Sequence, residues 1–134
     1  MAKLHGKEAR IFNGAQEIIS ARTIDVDVKS DTVDATDHDS AGWHEKLYGN
    51  KTWTGQTDHA FVLADVSQDA LFTALSGATI LTIKVYPNGT GSGKPEYTGT
   101  ALVTDYKYNA PNADIQTLAI TLEGTGALTH DLQP

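Results

Sequence analysis

The sequence predicts a mainly β protein: an antiparallel β sandwich or barrel with one short α-helix and a long polar loop. Three observations carry that expectation. Most of the chain alternates apolar and polar residues with period two, as strands do when one face is buried and the other is wet. Only Asp65 to Leu75 departs from it, with Leu71, Ala74 and Leu75 at helical spacing. Finally, 134 residues without an internal repeat or linker suit one domain, spanning 1–134, that buries a core without staples.

The elements follow in order. Ala9 to Phe12 and Gln16 to Ile19 flank Asn13-Gly14, a dipeptide that favours type I′ hairpin turns. In Thr23 to Lys29, the residues Ile24, Val26 and Val28 face one way and Asp25, Asp27 and Lys29 the other. Lys51 to Val62 also alternates, with Trp53, Thr57, His59 and Phe61 sharing a side. Asp65 offers a helix N-cap, with Gln68 spaced as in a capping box, and Gly77 stands where helices stop. Thr79 to Tyr86 reads as a strand, Pro87 to Pro95 as a loop, Tyr97 to Tyr108 as a long strand, and Asn109 to Asp114 as a turn. The last strand, Ile115 to Glu123, sets Leu118, Ile120 and Leu122 against Thr117, Ala119, Thr121 and Glu123. The final two strands exceed the usual length of roughly five or six residues, which suits a sheet extended by neighbouring subunits.

Charge excludes one function class. The formal charge is −7, from 17 acidic and 10 basic residues, with no Lys/Arg cluster along the chain. A surface that grips DNA needs several basic groups on one face, because counterion release supplies most of that affinity. An acidic surface can still face nucleic acid without holding it. Cysteine is absent, so disulfides, thiolate zinc sites and cysteine nucleophiles are not available. No segment reads as a signal peptide or a membrane span.

The stretch DATDHDSAGWHE gathers Asp34, Asp37, Asp39, Glu45, His38 and His44, all potential metal ligands. Counted from Asp34 as an EF-hand, it puts Thr36 and His38 at ligand positions and Asp39 where a glycine must turn. Counted from Asp37 it regains Gly42 but ends on Tyr48. Zinc held by His38 and His44 lacks a third ligand at a recognised spacing. The stretch therefore reads as a solvated polar loop. GTGSGK falls short of a phosphate loop, since Asn88 replaces the first glycine and Pro95 follows Lys94. No G-x-S-x-G occurs, and His5 and His130 lie near the termini, where least order is expected. His59 reads as a satisfied core histidine. Asp25 and Asp27, about 7 Å apart along one strand, read as groups that keep a surface wet. Neither catalysis nor a metal nor a cofactor is expected. Trp43, beside Gly42 in a polar loop, fits an apolar anchor for a partner better than a core position.

DVDVKSDTVDATDHDSAGWHEKLYGNKTWTGQTDH resembles the central signature of major tail tube proteins of long-tailed bacteriophages. The ordered residues are Asp34, Thr36, Asp37, Gly42, Trp43, Gly49, Lys51, Trp53 and Gly55. KPEYTGTALVTDYKYNAP and the closing LEGTGALT extend the resemblance to roughly residues 5–129.

The resemblance implies a phage tail-tube fold and a structural virion protein. Subunits would form hexameric rings that share a continuous inner β barrel, and the rings would stack into a conduit for the genome. The long loop, about 35–50, would be an inter-subunit or inter-ring element ordered with both termini by assembly, with Asp34, Thr36, Asp37, His38, Asp39, Gly42, Trp43 and His44 in it. Asp25, Asp27, Thr117, Thr121 and Glu123 are the expected lumen-facing residues. The implied partners are further copies of the chain, the tape measure, tail terminator and distal tail proteins, and passing DNA that is not specifically bound. A membrane is not among them. The implied location is the tail of the virion, after assembly in the host cytoplasm. Two alternatives stay open: a tube subunit of a contractile tail or secretion-like injection system, and a monomeric β-sandwich binding module.

Overall fold

The computed structural model describes residues 3–134. Seven strands, β1 (Arg10–Asn13), β2 (Gln16–Glu17), β3 (Ala21–Asp34), β4 (Lys46–Ala60), β5 (Leu81–Tyr86), β6 (Pro95–Asn109) and β7 (Thr117–Leu132), form one antiparallel sheet. Their order is β2-β1-β5-β6-β7-β4-β3, and the sheet coils until β3 comes back near β1. The one α-helix among the described residues, α1 (Val66–Ser76), lies against β6. One sheet face and α1 enclose the core, where Ile83, Val103, Leu118, Ile120 and Leu122 meet Leu71 and Ala74. The alternation expected for β5 and β7 is therefore the alternation between core and solvent.

Local chemistry explains the ends of α1. The Asp65 carboxylate accepts from the Gln68 amide at 2.9 Å and from the Ser67 hydroxyl. The Gln68 side chain does not complete the expected capping box. It is fully buried; its carbonyl accepts from the Val62 amide at 3.0 Å and its NH2 donates to the Ala60 carbonyl at 2.9 Å. A buried amide here satisfies the backbone where β4 ends, and leaving those groups unpaired would cost about 1–3 kcal/mol each. At the other end the left-handed residue is Ala78 (φ 53°), one past Gly77 (φ −94°). The first hairpin also differs from expectation. Asn13 pairs with Gln16, so the turn is Gly14-Ala15, with positive φ only at Gly14 (62°). That fits type II′, not the type I′ turn expected around Asn13-Gly14.

The long strands depend on one tryptophan. Trp53 is 4% exposed and lies flat over the backbones of β6 and β7 at Gly99 and Gly124. A Cβ on Gly99 would stand 2.6 Å from the indole, and one on Gly124 would overlap the ring. β7 was expected to stop at Glu123; it continues through Gly124 and Gly126 to Leu132. Those glycines do not break the strand. Gly124 makes room for the indole, and Gly126 (φ 84°) takes up a register shift against β6.

His59 is the buried histidine that its strand position suggested. Its Nδ1–H donates to the Ile19 carbonyl at 3.0 Å, so Nε2 accepts from the Thr57 hydroxyl at 2.8 Å. Burial pulls its pKa below the ordinary imidazole value, more than the Ile19 carbonyl and the Asp58 charge raise it.

Gly124→Ala should lower the unfolding free energy by about 1–3 kcal/mol through overpacking against Trp53. Gly6→Ala, with open space around its Cβ, should change it little, and urea denaturation of both variants checks this. Because the folded His59 pKa lies below the unfolded one, the unfolded chain takes up the proton first. Stability should therefore fall as pH drops from about 6.5 toward the lower folded value, and His59→Gln should remove that part of the slope.

Candidate functional site

Two surfaces stand out, an arm and a sheet face. β4 pairs with β7 only from Thr54 to Ala60, but with β3 as far as Lys46 beside Asp34. Beyond Trp53 the β3–β4 hairpin thus leaves the sheet as a two-stranded arm, about 23 Å long by strand rise. The loop expected over 35–50 is shorter than that, because residues 30–34 and 46–50 are paired strand. Val33 and Leu47 are direct partners on this arm and both are exposed, as is Tyr48 at 82%. Two strands with no third neighbour cannot bury these side chains themselves.

The arm tip, residues 35–45, is tied together by hydrogen bonds among its own residues. A turn of 3-10 helix, His38–Ser40, is capped by Asp37, whose carboxylate accepts from the Asp39 amide at 2.9 Å and from the Ser40 hydroxyl at 3.3 Å. The Asp37 amide donates back to Ser40 Oγ, which closes a capping box. Asp34 accepts from the Thr36 amide at 2.9 Å, and hydrogen bonds from Thr36 hold its carboxyl below the usual carboxylate range. Thr36 Oγ1 accepts from the Glu45 amide, tying the two sides of the tip. Ala41 (φ 52°) and Gly42 (φ 84°) then swing Trp43 outward, where it is 78% exposed. Two of the acidic side chains that looked like metal ligands are therefore spent on the chain's own amides and hydroxyls. Among the described residues, no group of three His, Asp or Glu side chains is placed to hold a metal.

The second surface is the outer face of β3, β4, β7 and β6. Asp25 lies beside Gln56, Gln56 beside Thr121 and Thr121 beside Asp105, in one row across four strands. The next row runs from Asp27 through Thr54 to Glu123. Thr117 lies on the same face of β7, beside Ala60. The two sets of expected lumen residues, separated by about ninety positions, are thus brought onto one face. Asp58 and Asp105 share it and escaped the sequence reading. Lys29 and Lys107 are its cations, with Lys29 Nζ 3.3 Å from Asp27.

The remaining motifs are structural. The amides of Gly91 and Gly93 in the glycine-rich loop donate to the side chain and backbone carbonyls of Gln133, at 3.0 and 2.9 Å. Neither amide is free for a phosphate. His5 caps the first turn of the chain through Nδ1, and His130 stacks on Tyr97 with ring centroids 4.5 Å apart. Among the described residues no helix is long and apolar enough to cross a membrane.

Comparison with known proteins places this architecture. The phage tail tube protein family matches residues 10–130, and the chain belongs to that family. It is a structural subunit of a tail tube. Among solved structures it is similar to the tail of an empty gene transfer agent (GTA) particle refined with C6 symmetry, at 20% identity over 95% of this chain and 98% of that one, TM-score 0.81. It is also similar to the SPP1 tail tube, at 11% identity over 98% and 80%, TM-score 0.80. A third is the sheath–tube complex of an extracellular contractile injection system, PVC, at 15% identity over 98% and 93%, TM-score 0.76. No curated protein sequence matches.

The two tryptophans should respond in opposite ways. Trp43→Ala should leave monomer unfolding within about 0.5 kcal/mol of wild type. Trp53→Ala should cost about 3–5 kcal/mol. Chemical denaturation of the monomeric variants separates the two.

Proposed function

We propose that this tail tube subunit closes into six-fold rings that stack into the conduit for the genome. The β3–β4 arm reaches the next copy, and the acidic face of β3, β4, β7 and β6 lines the bore. The observation that carries this reading is that one sheet face collects Asp25, Asp27, Asp58, Asp105 and Glu123 among threonines and glutamine. Such a wall repels phosphates, so DNA slides along it without sticking, the reverse of the charge logic of a DNA-binding surface.

The strand edges support the same reading. From Thr125 onward β7 pairs only with β6, and β3 has no outer neighbour among the described residues. Open edges of this length are an aggregation liability unless other copies cover them. The C6 symmetry of the GTA tail supports six copies per ring. The exposed arm side chains, with Trp43 foremost, pack on a neighbouring copy, and the arm and chain termini gain their order there. No metal, cofactor or catalytic step enters this function. The tape measure, tail terminator and distal tail proteins are its other partners, and the virion tail, assembled in the host cytoplasm, is its place. The likeness to a contractile injection system favours a second reading, the same tube inside a contractile sheath.

Negative-stain and cryo-electron microscopy of the concentrated protein should show six-fold rings and tubes with Asp25, Asp27 and Glu123 on the inner wall. A monomer at every concentration, or these residues on the outer wall, would contradict the proposal. Tubes carrying Asp25→Lys, Asp27→Lys and Glu123→Lys together should retain double-stranded DNA that wild-type tubes release.

A further inference from the structure

β3 carries acid at one end and base at the other. At its far end the arm tip presents Asp39 and Glu45, the two tip carboxylates not engaged by Thr36 or Ser40. At its near end a cleft of 650 Å3 is lined by Lys7, Arg10 and Arg22, with no carboxylate in the lining. In a chain of formal charge −7 this is a local reversal. Arg10 is held by Glu17 at 3.3 Å and by the carbonyls of Lys7 and Ala9. Lys7 and Arg22 have no carboxylate within ion-pair distance among the described residues.

Beside the cleft, sharing Ala9 and Ile24 with it, lies an apolar groove of 340 Å3. It is the seam where the coiled sheet fails to close, between Val26 and Val28 on β3 and Val85 and Tyr97 opposite. A basic cleft joined to an apolar groove is complementary to an acidic tip that carries an outward tryptophan. The tip cannot reach the cleft of its own chain. Thirteen strand steps from Ala21 to Asp34 set the two about 40 Å apart.

We propose that the arm tip of one copy docks into this seam of the next copy along the tube. Trp43 enters the apolar groove, and Asp39 and Glu45 face Lys7 and Arg22. The contact joins two different patches, so it is head-to-tail and propagates as an open stack. It deepens the tube reading and rests on it. It also gives the unsealed seam a cover and the exposed indole a pocket.

The test uses two charge-reversed full-length chains, one with Lys7→Glu and Arg22→Glu, the other with Asp39→Lys and Glu45→Lys. Each should keep the wild-type circular dichroism and form rings, with tube length under the microscope cut at least ~10-fold, as expected when opposed charges become like charges. An equal mixture should regain tubes, because the acidified cleft accepts the basic tip and the native cleft accepts the native tip. Either variant making tubes of wild-type length would overturn the proposal. So would folded variants whose mixture stays as rings, which would assign the cleft to another partner. Wild-type tubes give an independent measurement. They should shorten when salt rises from about 0.1 M to about 1 M, which reduces the screening length from about 10 Å to about 3 Å. Indifference to salt would count against the charged contact. A wild-type chain that never forms rings or tubes would instead defeat the tube reading itself.

Discussion

Trp53 decides where this protein stops being a self-contained sheet. Its indole lies across Gly99 and Gly124, at the last position where β4 can follow β7. On one side of that contact β4 and β7 have neighbours on both edges and a core beneath them. On the other side β4 keeps only β3, and β7 keeps only β6. A large flat side chain needs two glycine backbones beneath it, since any Cβ there meets the ring. The contact lies where the two hairpins part, and the arm and the free edge of β7 both begin there.

What lies beyond the split makes sense for a part of a larger object. The arm exposes Val33, Leu47, Tyr48 and Trp43, yet its tip is tied together by Asp34, Thr36, Asp37 and Ser40. A shaped tip on a weakly supported stalk suits docking better than it suits solvent. The body shows the opposite economy. Its buried Gln68 and His59 are closed into local networks, Gln68 serving three backbone groups and His59 bridging Ile19 and Thr57. Membership of the tail tube family and the charge of the outer face agree with this division between a rigid wall and a reaching arm.

Much of this was legible in the sequence, for a physical reason: a half-buried strand repeats every two residues. Leu118, Ile120 and Leu122 declared the core face, and Asp25 and Asp27 the opposite face. The helix was legible from Asp65 and its spacing. What failed were positions whose neighbours lie far along the chain. Gly124 and Gly126 read as the end of a strand, because nothing local reveals the indole above one and the register shift at the other. Residues 46–50 read as loop and 30–34 were not read as strand, because an arm wet on both faces shows no clear alternation. The capping box of Asp37 and Ser40 has plain i, i+3 spacing, but its aspartate equally suits metal ligation. Asp58 and Asp105 joined the acidic face only once the strand register was known.

The arm has too little support within one subunit, and docking on another copy would supply it. Amide hydrogen exchange in the monomer and in assembled tubes measures that directly. Amides of residues 30–34 and 46–50 should exchange quickly in the monomer, while those of residues 118–122 stay protected, and the arm should become protected in tubes. Arm amides as protected in the monomer as those of β7, or unprotected in tubes, would contradict it.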